Sequence, residues 1–348
     1  MSRSPRILFV SNFLSGAGLN RGYSEELADR LEAGGSSVIR TSSQLGRGMR
    51  LVDMLRTTWA ERHHYTVAHV DVFSGPSFLW AEIVCFELRR LGKPYVLTLR
   101  GGNLPEFARA CPRRTRRLFE SAALVTVPSS YLEDRMRAYR RDLKIVPNAI
   151  DAQACGFVSR PQLRPRLVWM RAFHAIYNPV LAVDVLARLR RRHRGASLKM
   201  VGPDKDGSLA DVKRRAHEVG IADSLTVIPG VAKRDVARHL ADADLFINTT
   251  NIDNTPVSVL DAMACGLCVV STNVGGIAYL LEHDQDALLV PPNDPEAMTD
   301  AVHRILTEPG LALRLSRNAR RKAETHDWSV ILPHWESMLL AVAGASRV

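Results

Sequence analysis

"NTPVSVLDAMACGLCVV", residues 254–270, reads as a loop end, a helix and the start of a strand. Thr255 before Pro256 has the composition of an N-cap and first helical position, and Gly266 stands where a terminating C′ glycine belongs. A helix of about ten residues is so framed, and the apolar run "CVVS" (268–271) follows at strand length. One residue is out of place. Asp261 falls among Val257, Leu260 and Ala264, which share an apolar face of that helix. A buried ionised aspartate costs several kcal/mol unless paired. Its partner is either structural, a backbone group or an arginine, or a bound ligand.

Working outward, the same alternation runs through the chain. "RILFV", "VAHVDVF", "PYVLTL", "ALVTV" and "KIVP" read as buried strands in the first half, and "LVWM", "SLKMV", "SLTVI", "DLFIN" and "CVVS" in the second. Amphipathic stretches such as "YSEELADRLEAGG" and "PVLAVDVLARLRRRHRG" lie between them. Alternating β and α elements predict parallel sheets covered by helices. The seam falls at "DAQACGFVSRPQLRPR" (151–166), which lacks periodicity. We therefore expect an α/β protein with a doubly wound domain over 1–160, a second over 161–328, and a closing helical segment over 329–348.

The 348 residues are 46% hydrophobic and 24% charged, an ordinary globular composition for two domains. No apolar run reaches the roughly 18–20 residues needed to span a bilayer. The N-terminus has no signal-peptide cleavage pattern, so a cytoplasmic protein is expected. Five cysteines without regular spacing do not describe a disulfide framework, and the Cys265/Cys268 pair is read as packing. Net charge is +11, and residues 1–165 hold 25 Lys and Arg against 15 Asp and Glu, hence +10. Such a basic half suits a partner bearing phosphates. Nucleic acid is set aside because no recognition motif is present.

Several strand ends could hold a ligand. "RILFV" is followed by Gly16, Gly18 and Gly22, whose spacing is G-x-G-x-x-x-G rather than the dinucleotide fingerprint. "LVWM" ends at Arg171, "SLKMV" runs into "GPDKDGS", and "DLFIN" into "TTNIDNTP". Asp253 lies just before the 254–266 helix, so a helix N-terminus with its unpaired N–H groups stands between two aspartates. That order suits a nucleotide sugar: Asp261 on a ribose diol, the diphosphate over the helix start, and Asp253 at sugar hydroxyls. D-x-D occurs three times (Asp204/Asp206, Asp242/Asp244, Asp284/Asp286), too cheap a pattern to assign a metal. No H-E-x-x-H or G-x-S-x-G is found.

The stretch "DNTPVSVLDAMACGLCVVSTNVGGIAYLLEHDQDALLVPPNDPEAM" resembles the E-x7-E region of the family 4 retaining glycosyltransferases of the GT-B fold, with its following glycine pair, Gly275 and Gly276. "LRGGNLP" (99–105), "VPSSYL" (127–132), "VPNAID" (146–151), "VGP" (201–203) and "LADADLFINTT" (240–250) agree in order. The resemblance implies two Rossmann-like domains facing across a cleft, the closing helix returning to the first. It implies Arg171 and Asp253 as catalytic, and Gly16, Gly18, Asn178, Asn254, Thr255, Val257 and Asp261 as donor-binding. Arg100, Gly101 and Asn103 would stand on the acceptor side. The donor is a nucleoside-diphosphate sugar, with no metal and no cofactor. The acceptor is a glycan or lipid-diphosphate of envelope polysaccharide assembly. The basic half, through "CPRRTRRLF" and "RMRAYRRDLK" with Leu118, Phe119 and Tyr139, is expected to lie against anionic membrane.

Four departures stand out. Both glutamates are aspartates, and the lysine after the diphosphate arginine is absent from "RAFHAIYNP". Arg100 stands where many relatives have histidine, and Cys268 replaces a proline. The first two motivate an alternative, a degenerate GT-B protein that binds nucleotide or glycan without turnover.

Overall fold

The structure is a computed structural model that describes residues 5–17, 21–101, 103–160 and 162–345. The chain divides into two compact units, Met1–Asn148 with Ser329–Val348, and Ala149–Trp328. The first boundary thus falls before the proline-containing seam rather than at residue 160. Residues 149–160 join the second unit because Ile150 bridges to Asp327, and Arg320 donates to the carbonyls of Ala152 and Cys155.

The first unit has strands β1 (Arg6–Val10), β2 (Ser37–Thr41), β3 (Val67–Val72), β4 (Tyr95–Leu99), β5 (Leu124–Val127) and β6 (Lys144–Ile145). They form one parallel sheet in the order β2-β1-β3-β4-β5-β6. Helices α1 (Tyr23–Ala33), α2 (Arg47–Ala60), α3 (Pro76–Arg90), α4 (Leu104–Ala110), α5 (Pro112–Glu120) and α6 (Ser130–Met136) connect them. Every residue of β3 is buried, as a strand covered on both faces must be. Its two polar members, His69 and Asp71, are therefore carried into the interior. Leu118 and Phe119, expected at an interfacial surface, are instead buried in this core, and Tyr139 is half-buried against it.

The second unit has β7 (Arg166–Met170), β8 (Ser197–Val201), β9 (Leu225–Ile228), β10 (Leu245–Asn248), β11 (Cys268–Thr272) and β12 (Leu288–Val290), in the parallel order β12-β11-β10-β7-β8-β9. Its helices are α7 (Pro179–Arg192), α8 (Ser208–Glu218), α9 (Val236–Ala241), α10 (Val257–Ala264), α11 (Ile277–Leu280), α12 (Pro295–Thr307) and α13 (Leu311–Glu324). Strand alternation feeds two cores: Leu167 and Trp169 point to one face of the sheet, Val168 and Met170 to the other. Helix α14 (Trp328–Ala345) follows, and from Ser329 onward it belongs to the first unit. There Trp335 is buried with its ring edge-on to His69 at 5.3 Å. No helix among the described residues is long and apolar enough to cross a membrane.

The helix that opened the reading is shorter than expected. Pro256 has ψ 108° and lies outside it, so neither Thr255 as cap nor Pro256 as first turn holds; the cap position is Pro256 itself. Gly266 does terminate it, with φ +80° and hydrogen bonds Gly266 N–H to Met263 and Leu267 N–H to Ala262. A side chain there would also meet the Val158 carbonyl at 2.7 Å. Val259, Leu260, Ala262, Met263 and Ala264 are all buried, so the helix is apolar nearly all round. Asp261 does not interrupt the buried side; it shares the half-open side with Val257 and Ser258. Cys265 and Cys268 are buried free thiols.

Candidate functional site

Ligands of open parallel sheets sit beyond the carboxyl ends of the strands where strand order reverses. In the second unit that point lies between β7 and β10. Arg171 follows β7 and the 249–256 loop follows β10, so the two approach each other from adjacent strand ends. An Arg171 Nη2 N–H donates to Asp253 Oδ2, and these side chains are 14% and 11% exposed. The other Asp253 oxygen accepts the Asn254 N–H at 2.9 Å. Burial pushes the Asp253 carboxyl above its usual range, against the pull of Arg171 and that N–H.

Tyr177 completes the arrangement. The Arg171 guanidinium carbon lies 4.1 Å over its ring, close enough for a cation–π contact. The tyrosine is held from behind: Thr249 Oγ1 donates to its carbonyl at 2.8 Å and accepts from Trp169 Nε1 at 2.9 Å. Arg171 Nε is buried and has no acceptor. A guanidinium stacked on one face, paired at one edge and holding an unused donor is pre-organised for a further anion.

Asn178, expected at the same place, is turned elsewhere. Its backbone is left-handed (φ +47°), and its amide donates to Asn293 Oδ1 at 2.8 Å. The residue that meets Arg171 is its neighbour Tyr177; an arginine-stacking aromatic in the stretch that lacks the lysine was the available signal. Asn254 and Thr255 are buried beside α10, and Val257 opens it. A Cβ on Gly276 would lie 1.7 Å from the Asn254 carbonyl oxygen, and one on Gly275 2.3 Å from that of Asp253. The glycine pair thus lets the 253–254 loop settle against α11, sealed by the Gly276 N–H to Asp253 O bond at 3.0 Å. The three D-x-D pairs all serve the fold: Asp206 accepts from Ala175 and Ser208, Asp244 pairs with Arg166, and Asp286 with Lys322.

The first unit gathers a second polar cluster at the ends of β1, β3 and β4. Arg100 Nε donates to Asp71 Oδ1 at 3.1 Å and its Nη1 to Asn148 at 3.0 Å. Its guanidinium carbon lies 4.4 Å over Tyr23. Ser11 and Ser24 hydroxyls donate to the other Asp71 oxygen. Burial would raise the Asp71 carboxyl, but Arg100, His69 and the two hydroxyls outweigh it and hold it below the usual range. Arg100 Nη2 is buried without an acceptor. Gly101 (φ +93°) and Asn103 are exposed at the start of α4. Gly16 is exposed in the turn Ser15–Ala17, where packing places no demand for glycine; the Ser15 N–H is taken by Glu25. Gly18 lies outside the described residues.

Comparison with known proteins places the chain. Residues 161–322 match the family described as Glycosyl transferases group 1, and 17–154 match Glycosyltransferase Family 4. The chain belongs to the family 4 glycosyltransferases, with the two-domain GT-B fold. It is 32% identical to a D-inositol 3-phosphate glycosyltransferase of Saccharomonospora viridis over 45% of this chain and 39% of that one. It is 25% identical to a GDP-mannose-dependent alpha-(1-6)-phosphatidylinositol monomannoside mannosyltransferase of Mycobacterium tuberculosis, over 67% and 63%. The match spans less than two thirds of either relative's length. Among solved structures, sucrose-phosphate synthase from Thermosynechococcus elongatus shares the fold with TM-score 0.82 at 19% identity, covering 99% of this chain and all of that one. Anabaena HepE in complex with UDP and glucose does so with TM-score 0.76 at 16% identity, over 97% and 100%.

Proposed function

We propose that the protein is a retaining glycosyltransferase that moves a sugar from a nucleoside-diphosphate donor to a hydroxyl of a glycan or lipid-linked acceptor, in envelope polysaccharide assembly and without a metal. The observation that carries this is the Arg171–Asp253 pair at the strand-order reversal, stacked on Tyr177 and adjoining the start of α10. Arg171 and the first-turn N–H groups of the helix would hold the diphosphate. Asp261 would take the ribose diol and Asp253 the sugar hydroxyls.

As the bond from the anomeric carbon to the phosphate breaks, negative charge grows on the diphosphate. Arg171 stands ready to oppose it, with little reorganisation because its orientation is already set. The acceptor oxygen bonds to the same face of the anomeric carbon, and its proton passes to the leaving phosphate oxygen. No protein nucleophile is required. On the acceptor side, the buried, unaccepted Nη2 of Arg100 favours an anionic group such as a lipid diphosphate.

The test is calorimetric titration with UDP, GDP and ADP in the absence of metal, alongside Asp261→Ala. One nucleotide should bind, and the variant should lose it. No binding of any of the three would refute the donor site. A second reading, a binder without turnover, is favoured by the two aspartates, each one carbon shorter than the glutamate the resemblance implies, and by the absent lysine. Nucleotide binding with neither donor hydrolysis nor transfer would select it.

A further inference from the structure

Cys265 and Cys268 are close in sequence but belong to the two different cores of the second unit. Cys268 donates its thiol hydrogen to the Ala312 carbonyl at 3.3 Å. The thiol that meets Cys265 comes from far along the chain. Cys155, in the first stretch of the second unit, packs in the same core as Cys265, and their thiols are hydrogen-bonded to each other. The backbone brings the two segments together independently of that bond. Arg320 Nη1 donates to the Cys155 carbonyl at 3.0 Å and to the Ala264 carbonyl at 2.6 Å. Arg160 Nη1 donates to the Cys265 carbonyl at 3.0 Å. The Val158 carbonyl and the Phe157 ring close over Gly266, 2.7 and 2.9 Å from where a Cβ would stand.

The pair is placed and polarised for chemistry. Cys155 is the single buried residue of 153–159, so it lies just beneath an exposed loop, and local opening of that loop presents it to a small reagent. The hydrogen bond from Cys265, aided by the Arg320 guanidinium, holds the Cys155 thiol below its usual range, against burial and the Asp261 and Asp151 carboxylates. The same bond, with burial, pushes the Cys265 thiol up. One sulfur is thus the nucleophile and the other keeps its proton, the division an attacking and a resolving cysteine need. Burial pushes the Cys85 and Cys268 thiols up, Cys268 to about 12, so neither competes.

We propose that Cys155 and Cys265 are a reversible oxidation site that closes to a disulfide when hydrogen peroxide reaches Cys155. The Cys155 thiolate attacks one peroxide oxygen, the O–O bond breaks, and the departing hydroxide takes up the proton that Cys155 released. The Cys265 sulfur then attacks the sulfenic acid so formed. The S–O bond breaks, and the second hydroxide leaves as water with the Cys265 proton. The two sulfurs lose two electrons, the peroxide gains them, and two waters result. A dithiol reverses the change by exchange. The bond pins the 149–160 segment to the C-terminal end of α10 and closes roughly a hundred residues of chain into a covalent loop. Neither the donor nor the acceptor reading bears on this site.

The test uses the full chain, reduced and then freed of reductant. It is exposed to hydrogen peroxide, its remaining thiols are blocked, and it is digested without reductant for mass spectrometry. We expect Cys155 linked to Cys265, two of the five thiols lost, and both restored by dithiothreitol. The oxidised chain should melt roughly 10 °C higher. Cys155→Ser and Cys265→Ser should each abolish the link and the shift, whereas Cys111→Ser, in the first unit, should change neither. The mapping is made on the unaltered chain, so it stands even where a variant fails to fold. Thiols that stay unreactive until the chain is denatured overturn the proposal and leave the pair as packing. So does Cys155 oxidised to a sulfinic acid without a link, Cys265 linked to Cys268, or a link that leaves the melt unchanged.

Discussion

Tyr177 lies beneath Arg171 at 4.1 Å, while Asp253 takes the same guanidinium from the edge. An arginine between an aromatic face and a carboxylate has lost most of its rotational freedom before any anion arrives. That pre-organisation is the property a leaving diphosphate needs.

Tyr177→Phe should therefore keep nucleoside-diphosphate affinity, because the ring face is retained. Tyr177→Ala should weaken it about three- to tenfold, the scale of a partly shielded cation–π contact. Calorimetry on both variants checks this, and equal losses would show that the hydroxyl, not the ring, matters.

Removing either partner leaves the other charge buried and uncompensated, so Arg171→Ala and Asp253→Asn should each cost about 3 kcal/mol of stability, read by urea unfolding. Asp253→Asn should also abolish transfer if the carboxylate holds the donor sugar.

Gly276→Ala forces a methyl to within 1.7 Å of the Asn254 carbonyl, so the 253–254 loop must move. Nucleotide binding should fall at least about tenfold, since roughly 1 Å of misplacement is costly in such sites. Gly16→Ala, with no neighbour within 4 Å of its added carbon, should leave stability unchanged. Thermal melts and nucleotide titrations of the two variants test the contrast.

His69 makes the first unit acid-sensitive. Its ring is buried against Phe9 and Trp335, with Nε2 on Thr98 Oγ1 at 2.8 Å. Burial pushes its pKa down from 6.5 to about 4. Between those values the unfolded chain binds the proton and the folded chain does not, so stability rises with pH across the window. The contribution, about 3 kcal/mol, is complete above pH 6.5 and is lost as pH falls toward 4. His69→Phe should flatten urea-unfolding stability between pH 6.5 and 4.5. An unchanged slope would assign the acid sensitivity to other groups. Asp71, held below the usual carboxylate range, loses its contribution only at still lower pH.

Much of the architecture was legible because an internal parallel strand is a short apolar run between turn residues. Ten of the twelve strands of the described residues read that way. The other two, β2 and β12, are outermost in their sheets. "SVIRT" is largely half-exposed and carries an arginine, and "LLV" is only three residues long, so neither stands out from its surroundings. The helix bounds at 254–266 were readable at Gly266, where a positive φ demands a residue type. They were less so at Pro256, which fits a cap and a first turn alike.

The sequence by itself determined the element order, the two parallel sheets, the family motif and the identity of the charged residues, since each is written in local pattern. Tertiary structure alone decided which of those residues meet. Arg171 and Asp253 are 82 positions apart and pair because the sheet sets β7 beside β10. Strand order is settled by how crossovers pack, not by spacing along the chain. The same holds for burial. Phe119 and Trp59 are both aromatics in arginine-rich stretches, yet one is wholly buried and the other 56% exposed. Which face of a helix turns toward the sheet depends on the neighbours it packs against, and those come from distant parts of the chain.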